Sequence, residues 1–271
     1  MSVRIPRVVW NQGEADRLLE RGVYTSRFAT FWAAKKEQIA RITGQSVVPD
    51  LYMFQTGGYC RKQDNHWMVL DQIDCVREHG AILVGPNWQV PVSDASVHPG
   101  IIEHVQLYET AAWCIFEHEA GRLWNLLPPV TVERIGNTIT IPISVRGDEE
   151  LTTVPGKYAA YGGDPANLGL EVFGGGSITS ATAIGGSITL QVTGAVTEVR
   201  HAHQRAAGID YGLSTDANGK AYVAHRSLIR TTLTKSVSVG GANLTLERWV
   251  PSFSVAITQA PALSGGSLEV S

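Results

Sequence analysis

Along residues 1–127, short apolar runs alternate with stretches whose apolar residues recur every three or four positions. Val8-Val9-Trp10, Asp50 to Gln55 and Ala81 to Val84 are too short for helices and stop at polar or glycine-containing turns, as buried parallel strands do. Between them the spacing predicts a short helical turn over 14–21 and helices over 25–42, 65–78 and 100–119. Phe28, Phe31, Trp32, Ile39 and Ile42 mark the buried face of the first long helix. Trp67, Val69, Leu70, Ile73 and Val76 mark that of the second, and Ile102, Val105, Leu107 and Ile115 that of the third. Strands separated by helices imply right-handed crossovers and a parallel sheet. Three parallel strands leave backbone groups and apolar area bare at an edge. The rest of this sheet is therefore expected from another polypeptide.

Beyond Pro128-Pro129 the period changes from helical to alternating. Residues 130–135 and 137–141 flank a single glycine, as in a hairpin. Residues 187–192, 196–201 and 243–249 read as further strands, punctuated by glycine pairs. The expectation is an α/β domain over 1–127, an antiparallel β-sandwich over 128–261 and a loose or docking tail over 262–271.

Composition narrows the function classes. The chain has 271 residues, 44% hydrophobic and 17% charged, with a net charge of −3 and no basic run, so nucleic acid is not an expected partner. No run reaches the length of a membrane span, and no signal peptide is visible. Cys60, Cys75 and Cys114 fit neither a zinc spacing nor a disulfide framework and read as free thiols. No cofactor is expected.

Candidate chemistry gathers at predicted strand ends, where open α/β sheets bind ligands. In Trp10-Asn11-Gln12-Gly13-Glu14-Ala15-Asp16, a Gln held at the end of the first strand can offer an amide N–H to a developing oxyanion. A following carboxylate, Glu14 or Asp16, can hold that amide. The same residues also suit a plain strand, turn and helix start, with the acids favoured by the helix dipole. Asp94 and His98 share the loop after the third strand and can form an acid–base pair, the carboxylate orienting the imidazole. Trp10, Trp67, Trp88 and Trp113 suit a core, and Trp88, in the same loop, is also the candidate for stacking on a ligand ring. His201 and His203 alternate on a predicted strand and could ligate a metal, but no third ligand is apparent, so no metal site is expected. Gly44-Gln45-Ser46 ends a helix, and Ser46 reads as structural.

The block from Trp10 to Asp16 resembles the Trp-x-Gln-Gly-Glu-x-Asp segment of SGNH-type carbohydrate O-acetylesterases, including relatives in phage-like particles and gene transfer agents. The resemblance implies a partial flavodoxin-like three-layer sheet. It also implies that Gln12 and Glu14 form or support an oxyanion hole, that Asn11 lies against the glycan with Trp88 stacking on a sugar ring, and that His98 is the general base with Asp94 orienting it. Three residues separate Asp94 from His98 where the family usually has two. In the family, a serine-bearing Gly-Gln-Ser motif precedes this block; here Gly44-Gln45-Ser46 follows it, and no other Ser upstream of Gln12 sits in a strand-to-helix turn. The later segments 199–202, 226–230 and 248–253 also resemble the β-domain of the phage-like members. The expectation is a glycan-binding subunit of a virion spike or fibre, assembled in the cytoplasm, oligomeric, and meeting host surface polysaccharide. A second chain would carry the N-terminal half of the SGNH domain. The alternative is an O-acetylesterase whose serine comes from that chain.

Overall fold

The structure is a computed structural model, and it describes residues 3–16, 19–57, 67–91, 99–159, 163–203, 214–215, 221–222 and 226–259. The first part runs β1 (Arg7–Trp10), α1 (Val23–Thr43), β2 (Asp50–Gln55), α2 (Trp67–His79), β3 (Ile82–Pro86) and α3 (Ile101–Glu119). The strands form a parallel sheet in the order β1-β2-β3.

β2 is buried from Leu51 to Gln55 because both of its faces are covered. Leu51 and Met53 pack with Tyr24, Phe28 and Trp32 of α1 and with Met68, Ile73 and Val76 of α2. Tyr52 and Phe54 pack with Leu107, Ala111 and Cys114 of α3. Each such side chain contributes about 1.5–3 kcal/mol by leaving water. The start of α1 is held from outside the helix. Gly22, its N-cap, has φ 85° and no side chain to offer. The carboxylate of Asp71 on α2 accepts the backbone N–H of Gly22 at 2.9 Å and of Tyr24 at 3.2 Å, and pairs with Arg21. That places a negative charge where the helix dipole favours one.

Two residues expected in the core lie outside it. Ile42 is 68% exposed and Ile102 43% exposed. The 21 residues of α1 extend about 31 Å at 1.5 Å per residue, whereas the six of β2 span about 20 Å. The last turn of α1, with Ile42, therefore overhangs the sheet. Ile102 sits in the first turn of α3, before the helix reaches the strands.

The second part comprises β4 (Thr131–Ile135), β5 (Thr138–Pro142), β6 (Leu151–Thr153), β7 (Leu170–Phe173), β8 (Ser177–Ile184), β9 (Ser187–Thr193), β10 (Glu198–His201), β11 (Ser214–Thr215), β12 (Ala221–Tyr222), β13 (Ile229–Val239), β14 (Ala242–Trp249) and β15 (Phe253–Gln259). They assemble into a seven-stranded sheet, β7-β10-β15-β4-β5-β9-β8, a three-stranded sheet, β14-β13-β6, and the pair β11-β12. The core holds the alternate residues Ile139 and Ile141 of β5, Ile188 and Leu190 of β9, and Phe253 and Val255 of β15. β4 and β5 turn through Gly136-Asn137, with Gly136 at φ 60°, the left-handed conformation a tight hairpin asks for.

The sheet is not purely antiparallel, as the glycine-punctuated pattern suggested. β15 runs parallel to β4, with Ala256 beside Thr131 and Gln259 beside Arg134. Parallel neighbours need a long connection, and here it is the whole of β5 to β14. β8 and β13 were not apparent in the sequence. Their Ser- and Thr-rich alternation leaves most positions exposed or half-buried, so no apolar stripe announces them.

The two parts are tied across residues 127/128. Leu246 of β14 lies in the same cluster as α3 and β3. Arg248 pairs with the buried Glu149 and also donates to the carbonyl of Trp124. Gln55, at the end of β2, bonds reciprocally with the backbone of Ser252: its amide donates to Ser252 O at 2.8 Å, and Ser252 N–H donates to Gln55 Oε1 at 2.8 Å.

β1 has a strand partner on one side only among the described residues. Val9 is 39% exposed, and Val3, Val47 and Val48 are more exposed still. The side chain of Gln45 holds these segments together, bonding both the N–H and the C=O of Ile5 and the carbonyl of Val47.

Candidate functional site

The polar residues that follow β1 form a hydrogen-bonded group at the C-terminal end of the parallel sheet. Gln12 Nε2 donates to Asp16 Oδ2 at 2.5 Å. Tyr24 of α1 donates its hydroxyl hydrogen to Gln12 Oε1 at 3.3 Å and accepts from Trp10 Nε1 at 3.0 Å. Burial pushes the Tyr24 phenol up to about 12, although the Trp10 bond works against that shift, so the hydroxyl stays a donor. With Oε1 taken by Tyr24 and one amide hydrogen by Asp16, the orientation of the Gln12 amide is fixed. The second amide hydrogen has no partner among the described residues.

The backbone of Gln12 is pinned as well. Gln72 of α2 donates to Gln12 O at 2.8 Å and accepts from Thr56 N–H at 2.7 Å, which clamps the end of β1 to the end of β2. Gly13 suits this point because its φ of 154° is one that other residues rarely adopt, and an added Cβ, 2.8 Å from Gln72 Nε2, would displace the clamp. On the other flank, Asn87 Nδ2 donates to Asn11 Oδ1 at 2.8 Å and draws the end of β3 to that of β1. Gln12 and Asn11 are both half-buried.

The carboxylate bonded to Gln12 is Asp16. Glu14 opens the 3-10 turn Glu14–Asp16, and its side chain lies outside the described part of the structure. Asp94 and His98 also lie outside the described residues. Tyr24 and Gln72 were not legible in the sequence. Each is one polar residue on a helix, and only the packing of α1 and α2 brings them to Gln12.

Trp88, expected to stack on a sugar, is fully buried. Its ring meets Trp249 edge-on at 5.8 Å, and its Nε1–H donates to Ser252 Oγ at 3.2 Å. Gly57 lies directly against it, and a Cβ there would be 2.1 Å from Trp88 N. Trp88 thus serves the junction between the two parts, because the 3-10 turn Asn87–Gln89 folds it inward.

Ser46 is exposed and precedes β2, so it lies at the opposite end of the parallel sheet from Gln12. The helix before it ends at Gly44, φ 70°. His201 and His203 do not form a metal pair. His201 is fully buried, with Nδ1–H donating to Pro251 O at 2.9 Å and Nε2 accepting from Ser227 Oγ at 2.6 Å. His203 lies beyond the end of β10. Among the described residues no three His, Cys, Asp or Glu side chains gather as a metal site would need. Among them, too, no helix is long and apolar enough to cross a membrane.

No protein-family model matches the chain, and no curated protein matches it. Among solved structures it is similar to a carbohydrate acetylesterase from Xanthomonas citri, with a TM-score of 0.48 and 15% identity. The similarity covers 85% of this chain and 50% of the other, so the chain spans about half the length of that enzyme.

Proposed function

We propose that this chain is a carbohydrate-directed subunit of SGNH-esterase descent, built as a glycan-binding component of a phage-like spike or fibre and completed by a partner polypeptide. The observation that carries this reading is the Gln12 group. An amide fixed by Asp16 and Tyr24, on a backbone clamped by Gln72, is organised well beyond what a strand-to-helix turn needs. It stands at the end of a strand whose far edge has no strand partner among the described residues and is bordered by exposed valines. A partner strand beside β1 would bury Val9 and bring its own residues to Gln12. The helices around β1–β3 then form part of an SGNH-like three-layer domain, with the β-rich part as an appended sandwich. Host surface polysaccharide is the expected ligand and the particle surface the expected location.

The enzymatic alternative is favoured by one specific feature, the Gln12 amide hydrogen that has no partner among the described residues. An oriented donor of that kind suits an oxyanion. In that reading the partner supplies a serine and His98 acts as base, oriented by Asp94.

One experiment separates the readings. The native assembly is passed over immobilised O-acetylated polysaccharide, and acetate release is measured in the same sample. Retention without acetate supports the binding subunit. Acetate release that is lost in both His98→Ala and Gln12→Ala supports the esterase. An assembly that is neither retained nor active on any acetylated polysaccharide overturns the carbohydrate reading.

A further inference from the structure

Among the described residues, the three non-glycine positions with positive φ lie together: Asn167 (φ 49°), Leu168 (φ 62°) and Ala202 (φ 46°). Backbone bonds stitch them into one patch. Ala202 N–H donates to Gly169 O at 2.8 Å, and Leu228 N–H donates to Leu168 O at 3.3 Å. In this conformation an L residue presses its Cβ towards the following carbonyl oxygen, so Leu168 and Ala202 keep it only while their surroundings impose it. For Ala202 one imposing contact is its carbonyl, which accepts from Ser252 Oγ at 2.6 Å. Ser252 Oγ also accepts from Trp88 Nε1, and the Ser252 backbone is bonded to Gln55. The patch therefore sits where the β-rich part closes on the end of β2.

His201 precedes Ala202 and has both ring nitrogens engaged. Nδ1–H donates to Pro251 O, and Nε2 accepts from Ser227 Oγ. Ser227 is fixed on its other sides: its Oγ accepts from Ile229 N–H at 2.8 Å, and its backbone bonds the Tyr158 hydroxyl in both directions. Only a neutral imidazole suits this arrangement. A proton on Nε2 would meet the Ser227 hydroxyl hydrogen head-on and turn it away. Nothing around the ring compensates the charge. The ring of Phe253 lies 5.0 Å away, and Leu170 is the β7 neighbour. Glu171 pairs with Arg200 and so faces the other side of the sheet. Arg200 is turned to Glu198, between the rings of Trp67 and Phe173. Arg226 donates to Gly163 O and lies over Tyr158; Lys157 lies over Trp249; Asp164 accepts from the N–H groups of Gly156 and Tyr158. The ring of His203 packs against Trp67.

We propose that this patch is an acid-sensitive clasp: protonation of His201 releases Ser227 and the Pro251-Ser252 turn, Ala202 leaves its strained conformation, and the β-rich part loosens its hold on the end of β2 while both cores stay folded. The open form gives the imidazolium and the Ser227 hydroxyl water to bond, and it relieves the backbone at Ala202. The consequence reaches the Gln12 group. Gln55 precedes Thr56, and the Thr56 N–H is bonded by the same Gln72 side chain that holds Gln12 O. The clasp goes beyond the functional reading above and stands whether the chain binds glycan or cleaves it.

Amide hydrogen exchange of the full chain in its native assembly tests this, with rates corrected for the intrinsic pH dependence of exchange. The reporting amides are those of Ala202, Ile229 and Ser252. Burial pushes His201 down from 6.5 to about 4 in the closed form. The proton therefore favours the open form, and opening is least above pH 6.5 and grows as pH falls from there through 4. Protection of the three amides should fall roughly a hundredfold between pH 7 and pH 4. Over the same range β5 and β9 should keep their protection. His201→Gln can still donate to Pro251 O and accept from Ser227, and it should abolish the pH dependence. Ala202→Gly adopts the left-handed conformation without strain and should raise protection at Ser252 about threefold at every pH. That variant decides the matter if His201→Gln fails to fold, because unchanged or lower protection at Ser252 would show that no strain is held there. Protection that does not change with pH, a loss shared equally by β5 and β9, or the same pH dependence in His201→Gln would each overturn the proposal.

Discussion

Gln55 is the residue whose loss should most clearly separate the two parts of the molecule. Its side chain is fully buried and donates to Val69 O at 2.9 Å and to Ser252 O at 2.8 Å, while Ser252 N–H donates to its Oε1 at 2.8 Å. Gln55→Leu keeps roughly the same volume and removes all three bonds. Val69 O lies inside α2 and keeps its helical partner, so it is not orphaned. The N–H and C=O of Ser252 are, in a region where water does not reach. A buried backbone group left without a partner costs about 1–3 kcal/mol, so the two together cost about 2–6 kcal/mol. Against a typical net stability of roughly 5–15 kcal/mol this is a large fraction. Urea unfolding of the soluble assembly should show the midpoint falling at unchanged slope. Gln55→Glu should recover little, since a carboxylate can accept from Ser252 N–H but is repelled by Ser252 O. A loss below about 1 kcal/mol for Gln55→Leu would refute the claim that this pair latches the β2 end to the turn between β14 and β15.

Three further outcomes are expected. The chain made without a partner should be insoluble or poorly folded, because the outer edge of β1 has no strand partner among the described residues and lies beside the exposed Val9. Co-production with the polypeptide that pairs with β1 should rescue it, and Val9→Lys should block that rescue, whereas a soluble, cooperatively unfolding 271-residue monomer would sink the shared-sheet idea. His201, pushed down from 6.5 to about 4 by burial, takes up a proton more readily when unfolded, so its contribution is complete above pH 6.5 and is lost as pH falls from there through 4. That amounts to about 3 kcal/mol, visible as a drop in the urea midpoint between pH 7 and pH 4 that flattens in His201→Gln. Cys75 and Cys114 are buried with their thiols pushed up by desolvation, Cys75 to about 12, so a thiol reagent should modify them only on unfolding. Rapid labelling of either in the native assembly would contradict the packing of α2 and α3.

The sequence by itself determined the local elements of the first part. Apolar runs and helical spacing are written into consecutive residues, so β2 was legible as 50–55 and α3 as a helix to 119. It also placed Gln12 after a strand and beside carboxylates. What it could not carry was any relation between distant positions. That Asp16 rather than Glu14 receives the Gln12 amide depends on the pitch of one 3-10 turn. That Tyr24 orients the amide and Gln72 holds its backbone depends on how α1 and α2 lie over the sheet. Trp88 shows the same limit from the other side: its loop position suggested an exposed platform, and the close approach allowed by Gly57 turned it into the core. The parallel pairing of β15 with β4 was invisible because strand direction leaves no trace in an alternating pattern. Period and turn chemistry are properties of neighbours in the chain. Register, burial and hydrogen-bond partners are properties of neighbours in space, and only tertiary packing sets them.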